Sequence, residues 1–158
     1  MAEFIVEPPS RGDFDRWREI YRGYADFYEL DQSDEQAAMV WSWIHDPTHE
    51  VRALVVRDAA GVPVGLAHYR PFARPLRAST GCFVDDLFVA APHRGSGAVD
   101  ALLAELRRIS RVEGWDTVRW ITADDNYRAR SKYDRVATRT MWVTYDMSPA
   151  AVEAGSQA

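Results

Sequence analysis

The sequence predicts a mixed α/β fold, with antiparallel strands early in the chain and a strand–helix–strand unit after them. Three observations carry the prediction. Strand-length apolar runs bounded by turn residues fill 51–69 and 81–90. Apolar residues at three- and four-residue spacing mark amphipathic helices at 14–28, 39–44 and 99–109. From Gly81 onward, strand and helix patterns alternate.

Taken in order, Phe4, Ile5 and Val6 form a short first strand ended by Pro8 and Pro9. Ser10 or Asp13 is placed to cap a helix carrying Phe14, Trp17, Ile20, Tyr21, Tyr24 and Tyr28. A second helix opens at Ser33 or Asp34, with Met39, Val40, Trp43 and Ile44 on its apolar side. It stops near Asp46, because the residue before Pro47 resists helical geometry. Val51 to Val56 and Val62 to Tyr69 read as strands around a turn at Asp58 to Gly61. Arg70 to Thr80, with two prolines and three arginines, reads as a loop, and Gly81 to Ala90 as the next strand. A helix over Gly95 to Glu113, a strand over Thr117 to Thr122, a helix over Asn126 to Val136 and a last strand over Thr140 to Tyr145 complete the pattern. The tail from Met147 is expected to fray. No linker interrupts the chain, so 1–158 is expected to be one domain.

Bulk properties exclude several classes. The chain has 158 residues, 47% hydrophobic and 27% charged, and a net charge of −5. A nucleic-acid partner is not expected, since phosphate binding usually leaves a basic face. The negative charge suits a cationic acceptor, although it is also common among soluble proteins. Cys82 is the only cysteine, which rules out an intrachain disulfide. No run approaches the ~18 apolar residues of a membrane span, and Met1 to Pro9 lacks an export pattern, so the cytoplasm is the expected compartment. His45 and His49 are four apart, but Pro47 breaks the helix a shared metal would need, and no metal is expected.

The chemistry concentrates between Asp85 and Gly97. The strand Asp85-Asp86-Leu87-Phe88-Val89 leads through Arg94-Gly95-Ser96-Gly97 into a helix. Glycines let backbone approach a ligand, and a helix start offers unpaired N–H groups beside the positive end of its dipole, which suits a pyrophosphate. A tight turn in which the glycines only relieve strain fits the same residues. The spacing matches neither a Walker A loop nor the dinucleotide fingerprint.

This segment resembles the acetyl-CoA-binding motif of the GNAT N-acetyltransferase superfamily, Arg/Gln-x-x-Gly-x-Gly/Ala, with Val99 where the family has its last Gly/Ala. Downstream, Asn126, Ala129 and Tyr133 are similar to the family's Asn-x-x-Ala-x-x-x-Tyr pattern. Two motifs in order are stronger than either alone, and the likeness is nearest to the diamine and polyamine acetyltransferases and related small bacterial amine acetyltransferases. The resemblance implies a central, mostly antiparallel mixed sheet flanked by helices on both faces. It also implies acetyl-CoA as cosubstrate, held by Leu87, Phe88, Val89, Arg94, Gly95, Ser96, Gly97, Ala98 and Asn126.

By the same resemblance, Asp85 takes the proton from the amine and Tyr133 protonates the leaving thiolate. A phenol near pKa ~10 protonates a thiolate near ~8.5 only with help from geometry and field. Adjacent residues of a strand point to opposite faces, so Asp85 and Asp86 are expected to diverge. A hydrogen bond or an arginine ion pair is the structural alternative for each acid. A core aromatic at helical spacing is the alternative for Tyr133, and Asn126 suits a helix N-cap as well as a coenzyme contact. Tyr21, Tyr24, Phe27, Tyr28, Glu29, Trp41 and Trp43 form an aromatic and acidic group able to hold an alkylammonium; Tyr24, Tyr28, Glu29 and Asp86 are the substrate candidates, although such a stripe also suits a core. Cys82 reads as structural. The resemblance implies a homodimer through the late strands around Thr140 to Tyr145. A primary amine, polyamine-like or lysine-like, is the expected acceptor. A protein or peptide acetyltransferase and a non-catalytic acyl-CoA-binding relative stay open.

Overall fold

A computed structural model gives the structure of the chain and describes residues 4–150. Contacts group the chain into two compact units, one up to Ile121 and one from Thr122.

The first unit is built on five strands in the order β1-β2-β3-β4-β5. They are β1 (Ile5–Glu7), β2 (Arg52–Arg57), β3 (Pro63–Arg74), β4 (Ser79–Val89) and β5 (Val118–Arg119). All neighbours run antiparallel except β4 and β5, which are parallel. The helices of this unit are α1 (Phe14–Phe27), α2 (Asp34–Ile44) and α3 (Ala98–Val112).

The first helix starts from a short 3-10 turn, Arg11–Asp13. Asp13 Oδ2 accepts from the Ser10 N–H at 2.7 Å and the Ser10 hydroxyl at 2.8 Å. Asp13 also takes two donors from Arg57, at 2.7 and 3.0 Å, and so ties this turn to β2. The Arg57 guanidinium lowers the Asp13 carboxyl to about 2. A depressed carboxylate stabilises the fold above its ordinary value of 3.8 and loses that contribution as pH falls through about 2. Asp13→Asn is therefore expected to cost about 2 kcal/mol at neutral pH, a cost that thermal melts should show fading in acid. At α2, Ser33 and Gln36 make a reciprocal cap: Ser33 Oγ accepts from the Gln36 N–H at 3.2 Å, and Gln36 Oε1 from the Ser33 N–H at 2.9 Å.

Helices α1 and α2 cover one sheet face, where Trp17, Ile20, Ala37, Val55 and Leu66 form a buried cluster. On α2, Val40, Trp41 and Ile44 pack against it, whereas Met39 and Trp43, expected on the apolar side, are exposed. The other face is covered by α3, which buries Ala98, Leu102, Leu103 and Leu106. The expected mixed, mostly antiparallel sheet with helices on both faces is what forms.

Three expectations about the strands need correction. Arg70 to Thr80 is not a loop: β3 runs to Arg74, turns through Pro75–Arg77, and β4 starts at Ser79, with Arg70↔Phe83 through Arg74↔Ser79 in register. Proline is tolerated there for a geometric reason. The Cys82 N–H points to the Thr117 carbonyl, so its partner Pro71 faces away from β4, and β2 reaches only as far as Tyr69. Cross-strand contacts then stabilise the ribbon: Arg70 lies over Phe83, Arg119 over Phe72, and the two phenyl rings meet edge to face at 5.8 Å.

The strand expected over Thr117 to Thr122 contracts to Val118–Arg119, which are in register with Cys82 and Phe83 of β4. No strand forms over Thr140 to Tyr145, where Met141, Trp142, Val143 and Tyr145 are all exposed. Apolar β-branched and aromatic residues favour a strand only where another edge pairs with them. The end of the expected frayed tail, 151–158, lies outside the described residues.

The second unit contains α4 (Tyr127–Tyr133), shorter than the helix expected over Asn126 to Val136. Asn126 caps it, its Oδ1 accepting from the Ala129 N–H at 3.3 Å, and Arg130 closes onto Asp124 at 2.9 Å.

Candidate active site

The register between β3 and β4 slips at one place. His68 pairs with Asp86 and Tyr69 with Val84, which leaves Asp85 as an extra residue on β4. This β-bulge overturns the expected divergence of the two acids, because a bulged residue is released from strict alternation. Asp85 meets Arg70 Nε at 3.1 Å, and Asp86 meets His68 Nδ1 at 2.7 Å. Arg70 and His68 are two apart on β3 and share a face, so both carboxylates serve the face that α1 covers. Burial pushes the Asp85 carboxyl up, the Arg70 guanidinium opposes this, and the Asp86 charge adds to the rise.

Behind Asp86 lies a buried polar chain. The Trp17 indole N–H donates to His68 Nε2 at 3.0 Å, while Trp17 is fully buried and His68 is 2% exposed. The Tyr21 hydroxyl donates to Asp86 Oδ2 at 3.4 Å. Burial, with the charge of Asp86, raises the Tyr21 phenol well above its ordinary value and keeps it protonated.

The aromatic group divides. Tyr21, Tyr24 and Tyr28 follow one another along α1, at 6.4 and then 5.1 Å between ring centroids, and Tyr24 touches Phe88 on β4 at 5.5 Å. Trp41 does not join them. It packs on Trp17 at 4.8 Å behind the site, on the side of α2 that also carries the buried Ala37 and the packed Val40 and Ile44. Trp43 stacks on His49 at 4.9 Å. Glu29 is exposed at the end of α1 with a positive φ of 55°.

The far end of β4 offers an open edge. Pairing with β5 covers only Cys82 and Phe83. The Ala90 N–H donates back to Val64, so by alternation the backbone groups of Leu87 and Val89 face the side where β5 no longer pairs. The Val89 carbonyl there accepts from Arg94 Nε at 3.2 Å, and the Arg94 guanidinium lies over Phe88 at 5.3 Å and Phe27 at 5.6 Å. The turn that follows has Gly95 at φ 80° and Gly97 at φ 99°, the latter at the N-cap of α3. Both angles lie in the left-handed region that favours glycine, and nothing lies within 4 Å of where a Gly95 Cβ would sit. The Ser96 hydroxyl donates to the His93 carbonyl at 2.6 Å, which tightens the turn. Ala98 is buried under it, and Val99 is half-buried on α3. A pyrophosphate fits this arrangement: unpaired N–H groups at a helix start, with bare backbone beside them.

Asn126 and Tyr133 belong to the second unit, at the N-cap and last residue of α4. Cys82 is buried, and burial pushes its thiol up to about 11, as expected of a structural cysteine. Among the described residues no group of three or more His, Cys, Asp or Glu is placed to hold a metal ion. No helix among them is long and apolar enough to cross a membrane.

Arg70, His68 and the polar role of Trp17 are missing from the residues singled out by sequence. A signal for His68 exists: an imidazole inside the apolar run 62–69 must be buried, and a buried polar group needs a partner. Nothing local identifies that partner as a tryptophan 51 residues away.

Comparison with known proteins adds independent evidence. D-amino-acid N-acetyltransferase HPA3 of Saccharomyces cerevisiae is 26% identical over 142 residues, covering 89% of this chain and 88% of that protein. The crystal structure of a ribosomal-protein-alanine N-acetyltransferase from Brucella melitensis superposes with a TM-score of 0.74 at 19% identity, covering 92% of this chain and 99% of that one. Aminoglycoside N-acetyltransferase AAC(6')-Iy in complex with CoA gives a TM-score of 0.77 at 14% identity, covering 95% and 97%. These structural likenesses speak for the fold. The family model for the acetyltransferase (GNAT) family matches residues 15–137, spanning both motifs and the strands between the first helix and the last, and the chain belongs to that family.

Proposed function

We propose that this protein transfers an acetyl group from acetyl-CoA to a primary amine by direct attack. The observation that carries the reading is the bulge in β4, which sets Asp85 and Asp86 on one sheet face beside the open strand edge and the Gly95–Gly97 turn. Leu87, Phe88 and Val89 would hold the pantetheine side of the coenzyme, and Arg94, Gly95, Ser96, Gly97 and Ala98 its pyrophosphate, with Asn126 added by motif. Acetyl-CoA, when bound, supplies the acyl group as a thioester. The outward N–H of Leu87 is a candidate donor to the thioester carbonyl.

Asp86 receives the acceptor's ammonium, with Tyr24 and Tyr28 lining its approach and Glu29 adding negative charge at the rim. Asp85 accepts the proton that must leave before the amine can attack. Its raised pKa brings it closer to the operating pH, where a general base works best. Tyr133 is assigned by motif as proton donor to the departing sulfur.

The acceptor we favour is polyamine-like or lysine-like, on the strength of the paired carboxylates and the tyrosines. An amino acid is the second reading. It is favoured by the acceptor named for the yeast relative and by Arg70, a cation beside Asp85 that a substrate carboxylate would meet. Thiol release from acetyl-CoA with spermidine, Nα-blocked lysine, D- and L-alanine and neamine separates these readings, and no turnover with any amine would overturn the transferase reading. Asp85→Asn is expected to remove the acid limb of the kcat/KM profile, a limb that lies above the ordinary 3.8 because the folded pKa is raised. An unchanged limb would reassign the base. A cytoplasmic homodimer belongs to the same reading, and sedimentation showing only monomer would remove the dimer.

A further inference from the structure

Asp86 has two oxygens in unlike surroundings. Oδ2 accepts from His68 Nδ1 at 2.7 Å and from the Tyr21 hydroxyl at 3.4 Å, whereas Oδ1 has no partner among the described residues. With 22% of its side chain exposed, Asp86 is anchored by one oxygen and open at the other. The anchor depends on which nitrogen of His68 carries the proton. An indole N–H only donates, so the 3.0 Å contact from Trp17 obliges His68 Nε2 to accept. The imidazole proton then sits on Nδ1 and points at Asp86. Trp17 is fully buried, and its ring also packs on Tyr21 at 5.0 Å and Trp41 at 4.8 Å, so the ring that carries the donor is held by its neighbours.

We propose that Trp17 and His68 are positioning residues of the acceptor site: Trp17 holds His68 as the Nδ1–H tautomer, and His68 fixes Asp86 so that Oδ1 is presented to the acceptor's ammonium. The opposite tautomer would turn a lone pair toward the carboxylate and repel it. The neutral imidazole also leaves the Asp86 charge uncancelled, which a cationic acceptor needs. The chain of contacts joins the α1 core to the catalytic strand, so acceptor affinity is set by a residue that never touches the acceptor. The inference rests on the reading that Asp86 receives the amine.

Two measurements test it, and they fail separately. Long-range 1H–15N correlation spectra of the full chain at about pH 7.5 read the tautomer directly. The expected result is a protonated Nδ1 and a bare Nε2 for His68, with Trp17→Phe destroying that pattern. A protonated Nε2 in the wild-type protein would overturn the lock whatever the substrate is.

The second measurement is steady-state kinetics with spermidine and with D-alanine. His68→Leu is expected to raise the acceptor KM about tenfold while the acetyl-CoA KM stays within about twofold. His68→Asn, whose amide N–H falls where Nδ1–H lies, is expected to restore most of the loss. A structural void would affect both variants alike and shift both substrates. Equal acceptor KM values in His68→Leu and wild type would overturn the positioning role. An unchanged acceptor KM in Asp86→Asn would instead overturn the reading of Asp86 on which it rests. Should neither amine be turned over, the tautomer spectrum decides.

Discussion

Tyr133→Phe is expected to lower kcat by about 10² to 10⁴, the usual contribution of a positioned proton donor. The substitution removes one hydroxyl and keeps the ring, so acetyl-CoA affinity is expected to stay within about twofold and folding to be unaffected. Titration calorimetry with acetyl-CoA and thiol-release kinetics with the best amine check the two halves. A loss confined to Tm, with kcat retained, would make Tyr133 a packing residue at the end of α4. An unchanged kcat with unchanged stability would leave Asp85 as the only titrating participant and would favour solvent as the source of the proton. The prediction draws on the Asn126-x-x-Ala129-x-x-x-Tyr133 pattern, because α4 belongs to the second unit.

The other large effect is expected at the turn before α3. Gly97→Val places a β-branched side chain at φ 99°, a conformation that costs a non-glycine residue about 1–2 kcal/mol. It also sets a branched group on bare backbone at the first free N–H groups of the helix. Acetyl-CoA affinity is expected to fall at least about tenfold, or 1.4 kcal/mol. Tm should fall by only a few degrees, since the strain is local and Gly97 has one neighbour, Phe4, near its Cβ position at 3.8 Å. Free CoA should lose as much as acetyl-CoA, because both carry the pyrophosphate. Full retention of CoA binding by a folded Gly97→Val protein would remove the pyrophosphate from this turn and, with it, the assignment of Arg94 to Ala98.

Much of the fold was legible because local rules and tertiary demands agree. The apolar faces of α1 and α3 have a helical period, and the caps at Ser33 and Asn126 are residues whose side chains satisfy helix N–H groups. The turn at 58–61 works the same way: Asp58 Oδ1 accepts from the N–H groups of Ala60 and Val62, both at 3.0 Å. The misread segments are those where the local signal is opposed or left unanswered. Pro71 and the arginines of 70–77 argue for a loop, but stacked guanidinium–phenyl contacts and a proline facing an unpaired edge permit a ribbon. The residues 140–145 have strand-forming side chains and no strand, because backbone pairing is a property of two segments.

The candidate site divides along the same line. Its chemical inventory is local: two adjacent carboxylates, a glycine turn opening a helix, an asparagine–alanine–tyrosine helix and a row of tyrosines at helical spacing are all visible in 158 letters. What only the tertiary structure decided is orientation. A single extra residue in β4 puts Asp85 and Asp86 on one face, where alternation would have parted them, and the bulge exists only by reference to β3. Likewise, Trp17 and His68 are separately an apolar helix residue and a histidine in an apolar strand. They become a proton-orienting pair only when α1 packs on the sheet, because a hydrogen bond 51 residues long in sequence depends on which faces meet.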